Sequence, residues 1–460
     1  MKKAAALVAL VLASAACRGS EERDRWRYER ILFEQDPSIG SRSDARERFE
    51  KLAARNELTL DECYRMALFR SETLAIDGEE LVRLQTRYEQ EFSALLPTVS
   101  FLGTLTLQDS PGTAGTSSLQ KSFTDQRTAQ YQVAGHLPLF NGLREIYALR
   151  QAGALYEAKE HELRHARLQL FADTADAFYA VLLTERERAT TEDALRLAEE
   201  RLEELVQRNR VGISRRSEVL SQEAETASTK AHLERVRGAW AVAVEVLKYL
   251  TGLGERRALR DTLEDPVETP SIETWVARAL ETREDLRALE RQEAAAGEAI
   301  GIARAGYFPT AALDANYYTH REGVAADVDW DVILSFGIPI FEGLATQARI
   351  REARSSERAA SLSTQRLRRD IELAISRAHA SLLASVAERA SLDKAMTSAE
   401  ENYEIVQAEY RRGIVTNVEV LTSFNTLQQV RLERDRVRTR AKLAGIRLDV
   451  ESGTLPGGIR

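Results

Sequence analysis

The chain has 460 residues, 43% apolar and 30% charged, with nine prolines and a formal net charge of −8. A globular chain of that length would hold about three domains, but abundant Ala, Leu, Glu and Arg with so few prolines point to long helices. Charges of both signs are interspersed and no basic cluster carries interleaved aromatics, which argues against a nucleic-acid surface.

In chain order, Lys2 and Lys3 precede an apolar run from Ala4 to Ala13 that is too short to cross a bilayer, and small residues follow up to Cys17. Residues 1–16 are therefore expected to be an export signal. The segment resembles a bacterial lipoprotein signal, in which Cys17 would become the acylated first residue. Ser14 stands where that motif prefers leucine, and an ordinary cleavage near Ala13-Ser14-Ala15 is the other reading. Residues 17–57, rich in Arg and Glu, are expected to form a solvated extension. Cys63 falls on an apolar helical face, and no disulfide is expected.

A helix is predicted from Leu58 to about Leu95, with Thr59 as its cap, Asp61 and Glu62 in its first turn, and Pro97 as its stop. Beyond Pro97 the period changes to two. Val99, Phe101, Leu105 and Leu107 alternate with polar residues, and after a loop rich in Gly, Ser and Thr so do Ala129, Tyr131, Val133, Leu137 and Leu139. This predicts a β-hairpin over 97–140. A second hairpin over 309–341 follows from Ala311, Leu313, Ala315 and Tyr317, then Val328, Trp330, Val332, Leu334, Phe336 and Ile338. A soluble hairpin with one wet face would show the same alternation. The strand lengths, near the roughly 9 to 11 residues that cross a bilayer when tilted, and aromatic residues near strand ends favour membrane spans. Four strands cannot close a barrel, and a spanning sheet tolerates no open edge, so partner chains are implied.

After each hairpin a long helical pattern begins, from Leu143 to about Asn209 and from Leu344 to about Arg412. At 1.5 Å per residue such helices reach about 100 Å. Their apolar positions step by three and four, as in Leu195, Ala198, Leu202 and Leu205, and in Leu392, Met396, Ala399, Tyr403, Val406 and Tyr410, which is a coiled-coil seam. Single glycines then reverse the chain into returning helices.

These landmarks recur. Gly212 maps to Gly413 and Glu218 to Glu419, while Leu137-Pro138-Leu139-Phe140-Asn141-Gly142-Leu143 returns as Ile338-Pro339-Ile340-Phe341-Glu342-Gly343-Leu344. The shift is 413 − 212 = 339 − 138 = 201 throughout. The chain is thus read as a tandem duplication, with repeats at 58–252 and 271–456 joined by a linker at 253–270.

Signal sequence, twofold repeat, the Pro-x-Phe-x-Gly-Leu exits and the Gly-Ile-(x)4-Glu-Val-Leu turns together resemble the outer-membrane factor, or TolC-like, family of outer membrane efflux proteins. The resemblance implies an α+β membrane protein. Its tandem-repeat helices would form a coiled-coil barrel, and its four transmembrane strands would join a shared trimeric β-barrel of twelve. It implies a homotrimer in outer-membrane lipid, extending into the periplasm, lipid-anchored through Cys17. The partners implied are a periplasmic adaptor (membrane fusion protein) and an inner-membrane transporter. The tips Val211, Gly212, Ile213, Arg412, Gly413 and Ile414 would dock the adaptor; otherwise they only connect helices. Glu218, Glu419 and Tyr410 would form the tunnel constriction, although either carboxylate would equally suit the first turn of a helix. Thr422 and Val415 depart from the family's second acid and its arginine. Pro138, Phe140, Gly142, Pro339, Phe341 and Gly343 would mark the exits from barrel to helix.

No enzymatic constellation is visible and no cofactor is expected. His161 and His165 are spaced i, i+4 on a charged face without a Glu-x-x-His context, which suits solvent better than metal. The expected function is a passive exit duct of a tripartite efflux or type I secretion system. The rival expectation is a non-conducting coiled-coil scaffold of the envelope.

Overall fold

The computed structural model describes residues 50–107, 127–265, 270–322 and 326–456. The signal, Cys17 and most of the 17–57 extension lie outside them. The described elements are β1 (Glu57–Leu58), α1 (Leu60–Arg70), α2 (Glu72–Ser93), β2 (Thr98–Leu107), β3 (Arg127–Asn141), α3 (Arg144–Arg210) and α4 (Arg216–Thr251). They continue with β4 (Ala258–Leu259), α5 (Ile272–Thr282), α6 (Glu284–Ala305), β5 (Thr310–Arg321), β6 (Trp330–Gly337), α7 (Ala345–Arg411) and α8 (Asn417–Glu451). Both long helices, α3 and α7, have 67 residues.

Two offsets relate the copies. Before the hairpins the shift is 212, as from Thr98 to Thr310 at the strand starts (310 − 98); after them it is 201, as from Arg144 to Ala345 (345 − 144). The hairpin of the second copy is therefore shorter by 212 − 201 = 11 residues.

The single helix expected before the first hairpin is broken once, and so is the helical segment before the second. Ser71 takes an extended conformation between α1 and α2, its N–H donating to the Ala67 carbonyl and its Oγ accepting from the Leu74 N–H. The hydroxyl ends one helix and caps the next. At the second break, extended Arg283 is almost fully buried between α5 and α6, and its guanidinium holds Asp285 (2.7 Å) and Glu451 (2.6 Å).

The described chain forms two compact units. The first holds the residues up to Glu79 with Glu162–Leu286 and Leu367–Arg460. Its core has two parts in duplicate positions. Leu58, Cys63, Tyr64, Met66, Phe171, Phe178, Tyr179, Val181 and Leu247 pack together in one. Trp275, Ala279, Leu286, Ile371, Ile375, Leu382 and Leu448 form the other. Trp275 repeats Cys63 (275 − 63 = 212) and Leu448 repeats Leu247 (448 − 247 = 201). Burial raises the free Cys63 thiol to about 12, which makes it a packing residue rather than a reactive one.

The linker at 253–270 is partly ordered over its described residues. Ala258 and Leu259 pair in parallel with Glu57 and Leu58. Asp261 accepts from Lys442 Nζ (2.6 Å) and from the Tyr179 hydroxyl (3.0 Å).

The second unit holds Glu80–His161 and Arg287–Arg366. Its antiparallel sheet has the order β2-β3-β5-β6, with Phe101 opposite Val133, Val133 opposite Tyr317, and Tyr317 opposite Trp330. One face carries Val99, Phe101, Leu105, Tyr131, Tyr317, Trp330, Val332, Leu334 and Phe336, all exposed, the last of them 73%. The other carries Gln132, His136, Asp314, Asn316, Tyr318 and Asp331, tied together by His136 to Asp314 (2.7 Å), Asn316 to Asp331 (2.9 Å) and the Tyr318 hydroxyl to Asp331 (2.7 Å). Among the described residues no helix is long and apolar enough to cross a membrane.

Candidate functional site: the paired helical tips

The chain reversals after α3 and α7 share one geometry. Gly212 and Gly413 adopt φ of 75° and 74°. Ile213 N–H returns to the Arg208 carbonyl (2.9 Å) and Ile414 N–H to the Glu409 carbonyl (3.0 Å), while Gly212 bonds to Asn209 and Gly413 to Tyr410. These are Schellman caps, in which the left-handed position takes glycine because a Cβ would strain the backbone. Space is not the reason, since a Cβ on either glycine would have no neighbour within 4 Å. Val211, Ile213, Ile414 and Val418 stand exposed around the two turns, with Ile213 at 73%. Arg412 is exposed as well.

Both carboxylates read as constriction residues cap helices. Glu419 accepts from the Thr416 N–H (2.6 Å) and the Thr416 hydroxyl (2.8 Å). These bonds, the backbone one first, hold its carboxyl below the usual range. Glu218 is half-buried and accepts from the Ser214 hydroxyl (2.5 Å) and the Arg215 N–H (3.4 Å). In the single chain each carboxylate thus satisfies the start of a returning helix.

Tyr410 is buried under the first hairpin. The Arg201 guanidinium lies 3.9 Å from its ring centre and that of Arg208 lies 5.1 Å away. Arg201 also donates through Nε and Nη2 to Asn417 Oδ1 (3.2 and 3.1 Å) and through Nη1 to Glu204 (2.5 Å). Asn417 is 2% exposed and opens α8. One side chain of the first hairpin therefore engages the last turn of α7 and the first residue of α8. Sequence reasoning missed Arg201, Arg208 and Asn417, because the second copy has Asn402, Glu409 and the first has Arg216 at the matching places, so the repeat gives no signal.

The exits from the sheet repeat with one difference. Gly142 and Leu143 both have φ of 64°, and Gly343 and Leu344 have 60° and 68°. The two leucines are the non-glycine residues with positive φ among the described residues, so the exits store backbone strain. Pro138 and Phe140 lie within β3, paired with Ala312 and Ala311 of β5. Pro339 and Phe341 follow the end of β6, unpaired among the described residues, with Ile340 between them 96% exposed.

The sequence profile of the outer membrane efflux protein family matches residues 64–253 and 275–454. The chain is 25% identical over 260 residues to a probable efflux pump outer membrane protein of Pseudomonas putida, TtgC, covering 56% of this chain and 53% of TtgC. It is 23% identical over 303 residues to the outer membrane protein TolC of Escherichia coli, with 62% of each covered. The match thus spans about half the length of TtgC. Its fold is similar to that of the outer membrane protein VceC of Vibrio cholerae, with a TM-score of 0.74 and 18% identity over 87% of this chain and 97% of that one. With the profile matched over most of its length, the chain belongs to the outer membrane efflux protein family and is an outer-membrane protein that extends into the periplasm.

Proposed function

We propose that the chain is the exit duct of a tripartite efflux or type I secretion system, passively conducting substrates delivered by an inner-membrane pump and a periplasmic adaptor. The observation that carries this reading is the sheet β2-β3-β5-β6, bare and apolar on one face and mostly polar on the other, where Leu102 and Ile333 are the exposed apolar exceptions. Its strands have 10, 15, 12 and 8 residues, against the roughly 9 to 11 that span a bilayer when tilted. In lipid the open edges at β2 and β6 need partners. A homotrimer sharing a barrel of twelve strands would supply them, and the unpaired, exposed run from Ile338 to Phe341 would extend the β6 edge toward the next chain.

The two repeats, 58–252 and 271–456, would each give one hairpin to the barrel and one pair of helices to a periplasmic tunnel. The exposed apolar turns at Val211-Gly212-Ile213 and Arg412-Gly413-Ile414 suit an adaptor's docking surface. Glu218, Glu419 and Tyr410 would ring the constriction in the trimer, and acylated Cys17 would anchor the chain in outer-membrane lipid. Energy for transport would come from the pump.

Conductance in planar lipid bilayers tests the reading. Purified full-length protein is expected to give discrete steps of ionic current; trimers that insert yet carry no current would overturn it.

A further inference from the structure

A cavity of about 150 Å³ lies between the two tip hairpins, lined from the first by Leu197, Gln222 and Glu225 and from the second by Tyr403, Val420 and Phe424. The cavity is partly open to solvent and has room for one aromatic ring. Gln222 is 1% exposed, and its Nε2 donates to the Ala198 carbonyl (3.2 Å), which orients the amide. Its Oε1 is buried and has no donor among the described residues. Buried acceptors of that kind are uncommon in native proteins and call for an explanation.

The rest of the lining says what would satisfy it. Tyr403 and Phe424 form a tilted ring pair, 5.6 Å between centroids, that offers an aromatic surface. Glu200, Glu204 and Glu225 bring three carboxylates against the single guanidinium of Arg201. That guanidinium is committed to Glu204, Asn417 and the Tyr410 ring. Glu200 and Glu225 form no ion pair among the described residues. The cavity thus combines an unpaired acceptor, aromatic faces and an excess of negative charge, the combination that selects an organic cation with N–H donors.

We propose that this cavity is a binding site for a small aromatic ammonium ion. Its ammonium donates to Gln222 Oε1 and faces the Glu225 carboxylate, and its ring rests against Tyr403 and Phe424. Because the walls belong to different hairpins, an occupant bridges α3 and α4 to α7 and α8 and resists their separation. Only that last consequence rests on the proposed channel function; the binding does not.

Titration calorimetry of the full chain in detergent, with phenethylammonium as the probe and phenylacetate as its anionic counterpart, tests the site. The expected result is saturable binding of phenethylammonium at one site per chain and none of phenylacetate. Gln222→Leu is expected to weaken binding at least tenfold, Gln222→Glu to preserve or tighten it, and Glu225→Gln to weaken it severalfold. Absence of saturable binding, equal binding of the anion, or equal affinity in wild type and Gln222→Leu would overturn the proposal. If Gln222→Leu fails to fold, Gln222→Glu and Glu225→Gln decide, and weaker binding by the former refutes the assignment. A chain that binds the probe but carries no current refutes the duct and leaves the site standing.

Discussion

The Arg201 guanidinium stacks 3.9 Å from the centre of the Tyr410 ring while donating two hydrogen bonds to Asn417 Oδ1. One side chain of the first hairpin thus fastens both arms of the second, where α7 ends and α8 begins. The sequence resemblance implies a constriction role for Tyr410 in the proposed duct; the geometry shows a local tether. A cation held over a desolvated ring contributes about 1 to 2 kcal/mol. Hydrogen bonds to a charged donor add about 1.5 to 3 kcal/mol each at most, with much overlap between them.

Arg201→Met keeps much of the stem and removes the charge, leaving the Asn417 oxygen buried without a donor. The expected cost is about 1 to 3 kcal/mol, localised at the second tip. Amide hydrogen exchange over residues 403–420 is expected to speed up by an order of magnitude or more, while the sheet β2-β3-β5-β6 keeps its protection. Arg201→Lys is expected to fall between, because an ammonium cannot present a fork to Asn417 while stacking on Tyr410. Unchanged exchange in Arg201→Met would show that the tether carries no energy.

Glu218 and Glu419 are repeats of each other that differ in surroundings. Glu218 is half-buried and held by the Ser214 hydroxyl, whereas Glu419 is exposed with its oxygen on Thr416. In a narrow trimeric pore the more exposed ring of charge acts more strongly on passing ions. Glu419→Ala is accordingly expected to shift the reversal potential in a KCl gradient toward lower cation preference, and by more than Glu218→Ala does. No shift would remove Glu419 from the constriction, and equal shifts would remove its predominance over Glu218.

What the sequence made legible, it did through periodicity and punctuation. The alternation around Phe101, Val133 and Tyr317 places those residues on one face of the sheet, where the register puts them side by side. Gly212 and Gly413 mark the turns because a left-handed cap leaves a residue-specific trace. The helix breaks at Ser71 and Arg283 left none, since neither residue forbids a helix. The second break follows from a distant partner, Glu451, that holds the Arg283 side chain 168 positions away. Arg201, Tyr410 and Asn417 were illegible together for the same reason: the contact joins residues up to 216 positions apart, and nothing local announces it. The 11-residue difference between hairpins leaves no trace in the landmarks, all of which lie at or beyond Leu137 and share the shift of 201.

Lys442 is nearly fully buried, and its Nζ serves Asp261 (2.6 Å), the Leu263 carbonyl (2.6 Å) and Asp265 (3.4 Å). Burial pushes the Asp265 carboxyl up, but Arg438 and Lys442 outweigh it and hold the group below its ordinary value. Lys442→Met leaves Asp261 with neutral donors alone, the Tyr179 hydroxyl and the Leu263 N–H, while Asp265 keeps Arg438 and Arg389; breaking a buried pair from one side costs about 3 to 5 kcal/mol. The linker around 253–265 is expected to detach and become sensitive to limited proteolysis. The double variant Lys442→Met with Asp261→Asn is expected to recover part of the loss. A linker as resistant as wild type would show that the apolar contacts of Leu253, Leu259 and Leu263 hold it alone.

Asp449 lies in the last turn of α8, where the unbonded carbonyls of the helix end disfavour a negative charge. Burial raises its carboxyl from the ordinary 3.8 to about 6, against a smaller opposing pull from Arg278. The sign follows from linkage: the folded chain keeps a proton that the unfolded chain has lost, so stability rises as pH falls from about 6 toward about 4. Above about 6 the ionised group carries its full penalty. At 1.36 kcal/mol per unit the shift would convert to about 3 kcal/mol; because the side chain is only half-buried, about 1 kcal/mol is the reasonable expectation after solvent screening. Asp449→Asn removes the charge without changing shape. It is expected to raise the thermal midpoint of the detergent-solubilised chain by a few degrees at pH 7.5 and to leave it unchanged near pH 4, flattening the profile between them. A midpoint lowered at pH 7.5 would mean that the carboxylate is held ionised by Arg278 and that burial does not dominate at this helix end.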